Sequence, residues 1–405
     1  MMKYFSKDEA KKVIQDAFNF IDNGKVVWKD MEFFGHPGFY FFHTKKELKQ
    51  KIENQLVKDR YDQYDICYII NFLIKFMLSK YDSHTKVLFR EERYLPIELK
   101  IEDNEVYIIN APSKFNKYKA WKVLEINGVI VNKLLDEIEE ICCYSTEEYL
   151  RTRQVSILED IDMLRTLPSI DSTTFEFDFL VSDGENSEVI SFDINNLVDE
   201  VEASFLPENY SYELVNDCVV IHYNACRDKD KMEELIKKIS TIHSDKYIID
   251  LRYNGGGDSS IIRPLIEFLK GKRVVVLINE YVFSSGRMAL VELKKIGAYV
   301  IGTNISTSLN AFGNNPSEYK IDGTELIVKR SSNYFLYDSE YNCESFSKNN
   351  FFEYFKDRKA LLEPVFISPD LEVKETVDDI VAGRDIQMKM AFQYLEEKFN
   401  GKSSV

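Results

Sequence analysis

Two serines and three glycines in the second half of the chain have the types and spacing for acyl transfer. Ser284-Ser285-Gly286 follows Asn279-Glu280-Tyr281-Val282-Phe283 and precedes a helical pattern of Met288, Leu290, Val291, Leu293 and Ile296. A serine in the first turn of a helix sits where unpaired backbone N–H groups and the positive end of the helix dipole gather, so an oxyanion formed beside it is stabilised. Gly255-Gly256-Gly257, directly after Asn254, has no Cβ to keep a substrate carbonyl away from its backbone N–H groups. Read together, these are a nucleophile and an oxyanion hole. They also read as an N-cap and a turn, since serine caps many helices and glycine runs mark many turns. A third group of interest is His84, in the polar turn Tyr81-Asp82-Ser83-His84-Thr85, where an imidazole is placed by backbone on both sides; a surface-turn histidine is its plainer reading.

The elements that must position these residues follow from periodicity. Tyr247-Ile248-Ile249-Asp250-Leu251-Arg252 runs into the glycines, and Arg273-Val274-Val275-Val276-Leu277-Ile278-Asn279 leads toward Ser284. Short continuous apolar runs with helices between them predict parallel strands covered on both faces, so both loops leave one edge of one sheet. Residues 218–223 predict a preceding strand, and Met232, Leu235, Ile236, Ile239 and Ile242 a helix, giving a right-handed parallel α/β layer that begins near Asn209. Upstream, Ser6 with Glu9 and Thr44 with Glu47 predict capping boxes at two helix starts. A third helix carries Ile66, Ile69, Ile70, Leu73, Ile74, Met77 and Leu78, stops at the His84 turn, and is followed by a strand over 86–89. Residues 28–43 are aromatic and glycine-containing, more loop or hairpin than helix. From 95 to 195 the pattern changes to short strands, with a tight hairpin turn at Asn127-Gly128, a helix over 132–140 and a helical stretch over 146–167. An amphipathic helix over 385–399 closes the chain.

Composition sets the bounds. The 405 residues, 44% of them hydrophobic, suffice for two or three domains with real cores. With 52 basic against 68 acidic residues the formal charge is −16, which argues against a nucleic-acid or anionic-membrane binder. Met1 to Glu9 turn straight into a charged helix with no apolar segment, and no run is long enough to span a bilayer, so a cytoplasmic location is the expectation. The six cysteines (Cys67, Cys142, Cys143, Cys218, Cys226, Cys343) show no metal-binding spacing and read as reduced, mostly buried thiols. The five histidines are dispersed, so no metal site is expected, and acyl transfer through a serine requires no cofactor.

The stretch from Ile249 to Gly257, followed by Asn279 to Gly286 and by Val300-Ile301-Gly302-Thr303, resembles the core of the tail-specific (C-terminal-processing) and tricorn-type serine peptidase family. The resemblance implies that Ser284 is the nucleophile and that the N–H groups of Gly257 and Ser285 form the oxyanion hole. Asp82-Ser83-His84-Thr85 matches the Ser-His pair of the tricorn-type branch, which implies His84 as general base and Ser83 as its supporting hydroxyl. Glu363-Pro364-Val365-Phe366-Ile367-Ser368-Pro369-Asp370 matches that branch's glutamate before a Pro-Asp pair, which implies Glu363 orienting the base through Ser83; Glu340 or Glu344 are alternatives. Pro364 departs from the pattern. Asn304 to Asn310 contains no lysine where the Ser-Lys enzymes carry their base, so a histidine base is the natural substitute.

The resemblance further implies a multi-domain α/β fold with a crotonase/ClpP-like parallel βαβ core, an N-terminal helical region and a PDZ-like β-rich module, the last carried by Val123-Leu124-Glu125-Ile126-Asn127-Gly128-Val129. The expected segments are 1–94 (helical, with the His turn), 95–195 (PDZ-like), 196–385 (catalytic core) and 386–405 (helix and tail). The expected function is hydrolysis of peptide bonds in a peptide or protein substrate, with homo-oligomerisation left open. Two other readings fit the scaffold: a non-catalytic peptide- or lipid-binding protein, and an acyl-CoA enzyme that uses the glycines without Ser284 and His84.

Overall fold

The computed structural model describes residues 3–23, 26–28, 31–33, 35–197, 208–315 and 317–400. The expected boundary at 195/196 therefore adjoins a stretch, 198–207, outside the described residues. The chain forms two compact units, one of Met1–Glu202 with Leu309–Val365 and the other of Ala203–Ser308 with Phe366–Val405.

The second unit is built on a six-stranded sheet in the order Tyr212–Val215, Cys218–His222, Lys246–Asp250, Arg273–Ile278, Tyr299–Gly302, Leu371–Glu372. All pairings from Cys218–His222 onward are parallel, and Tyr212–Val215 is added antiparallel at one edge. Helices Lys229–Ile239, Arg263–Leu269 and Ser285–Lys295 make the crossovers. Residues 247–249 and 274–278 are buried throughout, as strands covered on both faces must be. Val220, Ile248, Val275, Leu277 and Ile301 pack with Ala391 and Leu395 of the closing helix Ile386–Asn400. The register aligns Asp250 with Leu277 and Ile278 with Gly302, so the glycine loop and the Ser284 turn both follow the carboxyl ends of adjacent strands.

The first unit holds the helices Lys7–Asn23, Lys45–Gln55 and Gln63–Leu78, the hairpin Val26–Trp28 with Met31–Phe33, and a β-rich sheet. Both expected capping boxes are present, Ser6 with Glu9 and Thr44 with Glu47. The sheet runs Ser187–Asp193, Glu176–Ser182, Lys122–Ile126, Glu105–Asn110, Glu98–Glu102, with Val129–Ile130 paired to Lys122–Ile126. Asn127 (φ 50°) and Gly128 (φ 73°) make the hairpin turn, a conformation that the Asn-Gly pair tolerates. The helix expected over 146–167 breaks at Asp160, whose carboxylate leaves the helix Glu147–Glu159 to accept from the Asp162 and Met163 N–H groups and cap a new turn.

Residues 309–365 join this first unit, although the sequence reading ran the catalytic core through them to 385. Their strand Leu326–Lys329 pairs antiparallel with Lys86–Phe89, and Glu318–Lys320 extends that sheet. Pairing partners more than two hundred residues apart leave no trace in local periodicity. Among the described residues no helix is long and apolar enough to cross a membrane.

Candidate active site

Ser284 stands between the strand Arg273–Ile278 and the helix Ser285–Lys295, partly exposed, with φ 52° and ψ −119°. A non-glycine residue held at positive φ is strained by ~1–3 kcal/mol and persists only where its surroundings over-determine it. The surroundings do so here. Gly286 N–H donates to the Phe283 carbonyl (2.9 Å), Phe283 N–H donates to the Asn254 carbonyl (2.9 Å), and Asn254 Nδ2 donates to the Tyr223 carbonyl (2.7 Å). The Asn254 side-chain oxygen in turn accepts from Gly256 N–H at 3.0 Å, so one buried asparagine binds the serine turn to the glycine loop.

The glycines fit against that turn with no room to spare. A Cβ on Gly256 (φ 101°) would lie 2.8 Å from Ser284 Cβ and 2.8 Å from Ser285 N, and one on Gly257 (φ 136°) would lie 2.2 Å from the Cys226 carbonyl oxygen. Cys226 pairs alongside this loop through the Gly256 carbonyl (2.9 Å) and the Asp258 N–H (2.8 Å), which leaves the Gly257 N–H outside the pairing. The Gly257 carbonyl accepts from Ser285 Oγ at 2.7 Å. Ser285 opens its helix, where backbone N–H groups have no partner within the helix. Below the loop, Arg252 holds Asp250 through Nε and Nη2 (2.9 and 2.8 Å) and Asp385 through Nη1 and Nη2 (2.9 and 2.7 Å), tying the strand end to the start of the closing helix. Burial opposes ionisation of Asp250, but hydrogen bonds from His222 and Arg252 and the guanidinium charge hold its carboxyl well below the ordinary range.

His84 lies in the first unit, in a turn built around a carboxylate. Asp82, fully buried, accepts with Oδ1 from His84 N–H (2.7 Å), Thr85 N–H (3.0 Å) and Ser331 Oγ (3.1 Å). With Oδ2 it accepts from Thr85 Oγ1 and, at 2.6 Å, from His36 Nε2. Burial opposes the charge; the hydrogen bond from His36, the neighbouring His84 and the Thr85 hydroxyl outweigh it, so the carboxyl titrates well below the ordinary range. The Ser83 carbonyl accepts from Tyr149 Oη at 2.8 Å.

The structure brings Ser284, Ser285, Gly256 and Gly257 together in the second unit and places Ser83 and His84 in one turn of the first. Glu363 also belongs to the first unit, where its exposed carboxylate pairs with Lys80 Nζ at 2.7 Å, three residues before Ser83. Glu340 and Glu344 are exposed. The sequence reading passed over His36 and Ser331 and gave Asp82 no part. The only signal was Asp82's place two residues before His84, where a short acidic side chain can turn back on the following N–H groups; its partners lie 46 and 249 residues away.

No family model matches the chain, and no curated protein matches it. Among solved structures, the crystal structure of mature CPAF matches over 98% of this chain and 99% of that one, with a TM-score of 0.62 and 12% identity. The chain shares the fold of mature CPAF. Mature CPAF complexed with lactacystin is matched over 96% of this chain and 98% of that one, with a TM-score of 0.60 and 12% identity. The photosystem II D1 C-terminal processing protease is matched over 93% and 98%, with a TM-score of 0.43 and 11% identity.

Proposed function

We propose that the chain is a serine peptidase of the tail-specific, tricorn-like type, hydrolysing peptide bonds through an acyl-enzyme on Ser284. The observation that carries this reading is the strained backbone of Ser284 at a strand-to-helix turn, with Gly256 and Gly257 packed too closely for any side chain. His84 takes the proton from Ser284 as its oxygen attacks the scissile carbonyl, because an unassisted hydroxyl is a poor nucleophile at neutral pH. The N–H groups of Gly257 and Ser285 receive the oxyanion, each donor contributing ~3 kcal/mol to lowering the barrier. The imidazolium then protonates the leaving amine, and His84 activates a water that releases the acyl group. In this reading Glu363, acting through Ser83, helps to orient His84.

The parallel core acts as a crotonase/ClpP-like scaffold, and the β-rich sheet with its helix Val131–Ile141 as a PDZ-like module. The reading requires His84 of the first unit to reach Ser284 of the second, and it calls for no metal or cofactor. Incubation of the purified chain with a diverse peptide library, with new termini identified by mass spectrometry, tests it. Cleavage by the native chain and none by Ser284→Ala is the expected result. No cleavage by either protein, with peptides still bound by both, would favour a non-catalytic binding protein.

A further inference from the structure

The reading of His84 as base leaves open what holds that imidazole in place, and the buried surroundings of Asp82 answer it. Asp82 and His36 are both fully buried, and their side chains meet at 2.6 Å. The tautomer follows from the partners. His36 Nδ1 accepts from Gly38 N–H at 2.9 Å, so the ring proton sits on Nε2 and is donated to Asp82 Oδ2. His36 N–H donates in turn to the Ile21 carbonyl (2.8 Å), and the ring lies 4.7 Å from that of Phe312, so the imidazole is fixed from both sides.

We propose that His36 and Asp82 form the positioning device of His84: His36 holds one carboxylate oxygen of Asp82 while the other grips the backbone N–H groups of His84 and Thr85. This rests on the assignment of His84 as base. Ser331 completes the device, its N–H donating to Thr85 Oγ1 (2.9 Å) and its Oγ to Asp82. The device also keeps a negative charge in low-dielectric surroundings next to His84, which favours the imidazolium that forms when the serine proton is taken. The titratable groups that interact with Asp82 include His36, His84, Lys86, Cys143 and Tyr149.

The test reads the His84 ring directly, by nitrogen-15 NMR titration of the full chain, which has five histidines. Folded variants Asp82→Asn, His36→Leu and His36→Gln are compared with the native chain, and fluorophosphonate labelling of Ser284 is measured beside them. Asp82→Asn removes a neighbouring negative charge, so the His84 midpoint falls by about one pH unit. Labelling slows roughly tenfold or more, with reagent binding unchanged. His36→Leu splits or broadens the His84 ring signals and slows labelling; His36→Gln, which returns a donor toward Asp82, restores both. An unchanged His84 midpoint and linewidth in folded Asp82→Asn and His36→Leu overturns the proposal. If Ser284 labels equally well in His84→Ala, the base assignment itself fails, a result that the ring titration does not depend on.

Discussion

The two turns that carry the candidate chemistry are held in opposite ways. The Ser284 turn is fixed by backbone: a strained φ, a ladder of main-chain hydrogen bonds through Asn254, and glycines whose missing Cβ atoms create the fit. The His84 turn is fixed by a side chain: one buried carboxylate collects five donors, three of them from its own turn and two from His36 and Ser331 far along the chain. A backbone-held turn tolerates almost no change of residue within it and little depends on what lies elsewhere. A carboxylate-held turn is exposed to changes at distant positions and to pH.

The largest expected effect comes from breaking the backbone-held turn. Gly257→Ala forces a Cβ against the Cys226 carbonyl at a φ that alanine rarely adopts, so it should lower stability by ~3 kcal/mol in denaturant titration and abolish Ser284 labelling. Gly256→Ala strikes Ser284 and Ser285 instead, and should silence labelling with a smaller loss of stability.

The carboxylate-held turn gives the next largest effect. Asp82→Asn puts an amide donor against the His36 Nε2–H and should cost ~2 kcal/mol, the usual penalty for a buried group left unsatisfied. The pH dependence has a definite sign. Because the folded carboxyl titrates below its ordinary value, its contribution to stability is full above the ordinary carboxylate range and is lost as pH falls through that range toward the depressed value. Asp82→Asn should therefore flatten part of the acid limb of a stability-versus-pH curve. A parallel acid limb in the variant would show that Asp82 is not held ionised.

The smallest effect is expected at Glu363. Its pair with Lys80 is solvent-exposed on both sides, so Glu363→Gln should change stability by less than about 1 kcal/mol. Labelling rates separate its two roles: a loss of tenfold or more would mean that Glu363 acts on the base through Ser83, and the His84 turn would then be held from the surface as well as from within.

This contrast also explains what could be read from the sequence. The Ser284 turn and the glycine loop are contiguous motifs on strands with continuous apolar runs, and the parallel layer that carries them follows the same local pattern. His84 was legible from its own surroundings only as a turn residue, and as a base only through the resemblance of its motif. Its supports were not, because His36 sits in an aromatic segment that suggests ordinary packing and Ser331 follows a strand whose partner, Lys86–Phe89, lies far upstream. For the same reason residues 309–365 read as a continuation of the core, although they complete the first unit. Asp82 was in plain view two residues before His84, yet its five donors are a property of the folded chain alone.

The central claim is that Ser284 is a nucleophile activated by His84. Its most direct test is fluorophosphonate labelling of the intact protein, with the adduct located by peptide mass spectrometry in the native chain, Ser284→Ala and His84→Ala. The account predicts an adduct on Ser284 whose formation slows at least a hundredfold in His84→Ala. Labelling of Ser284 that is indifferent to His84, or an adduct formed on another residue while folded Ser284 stays unmodified, would contradict it.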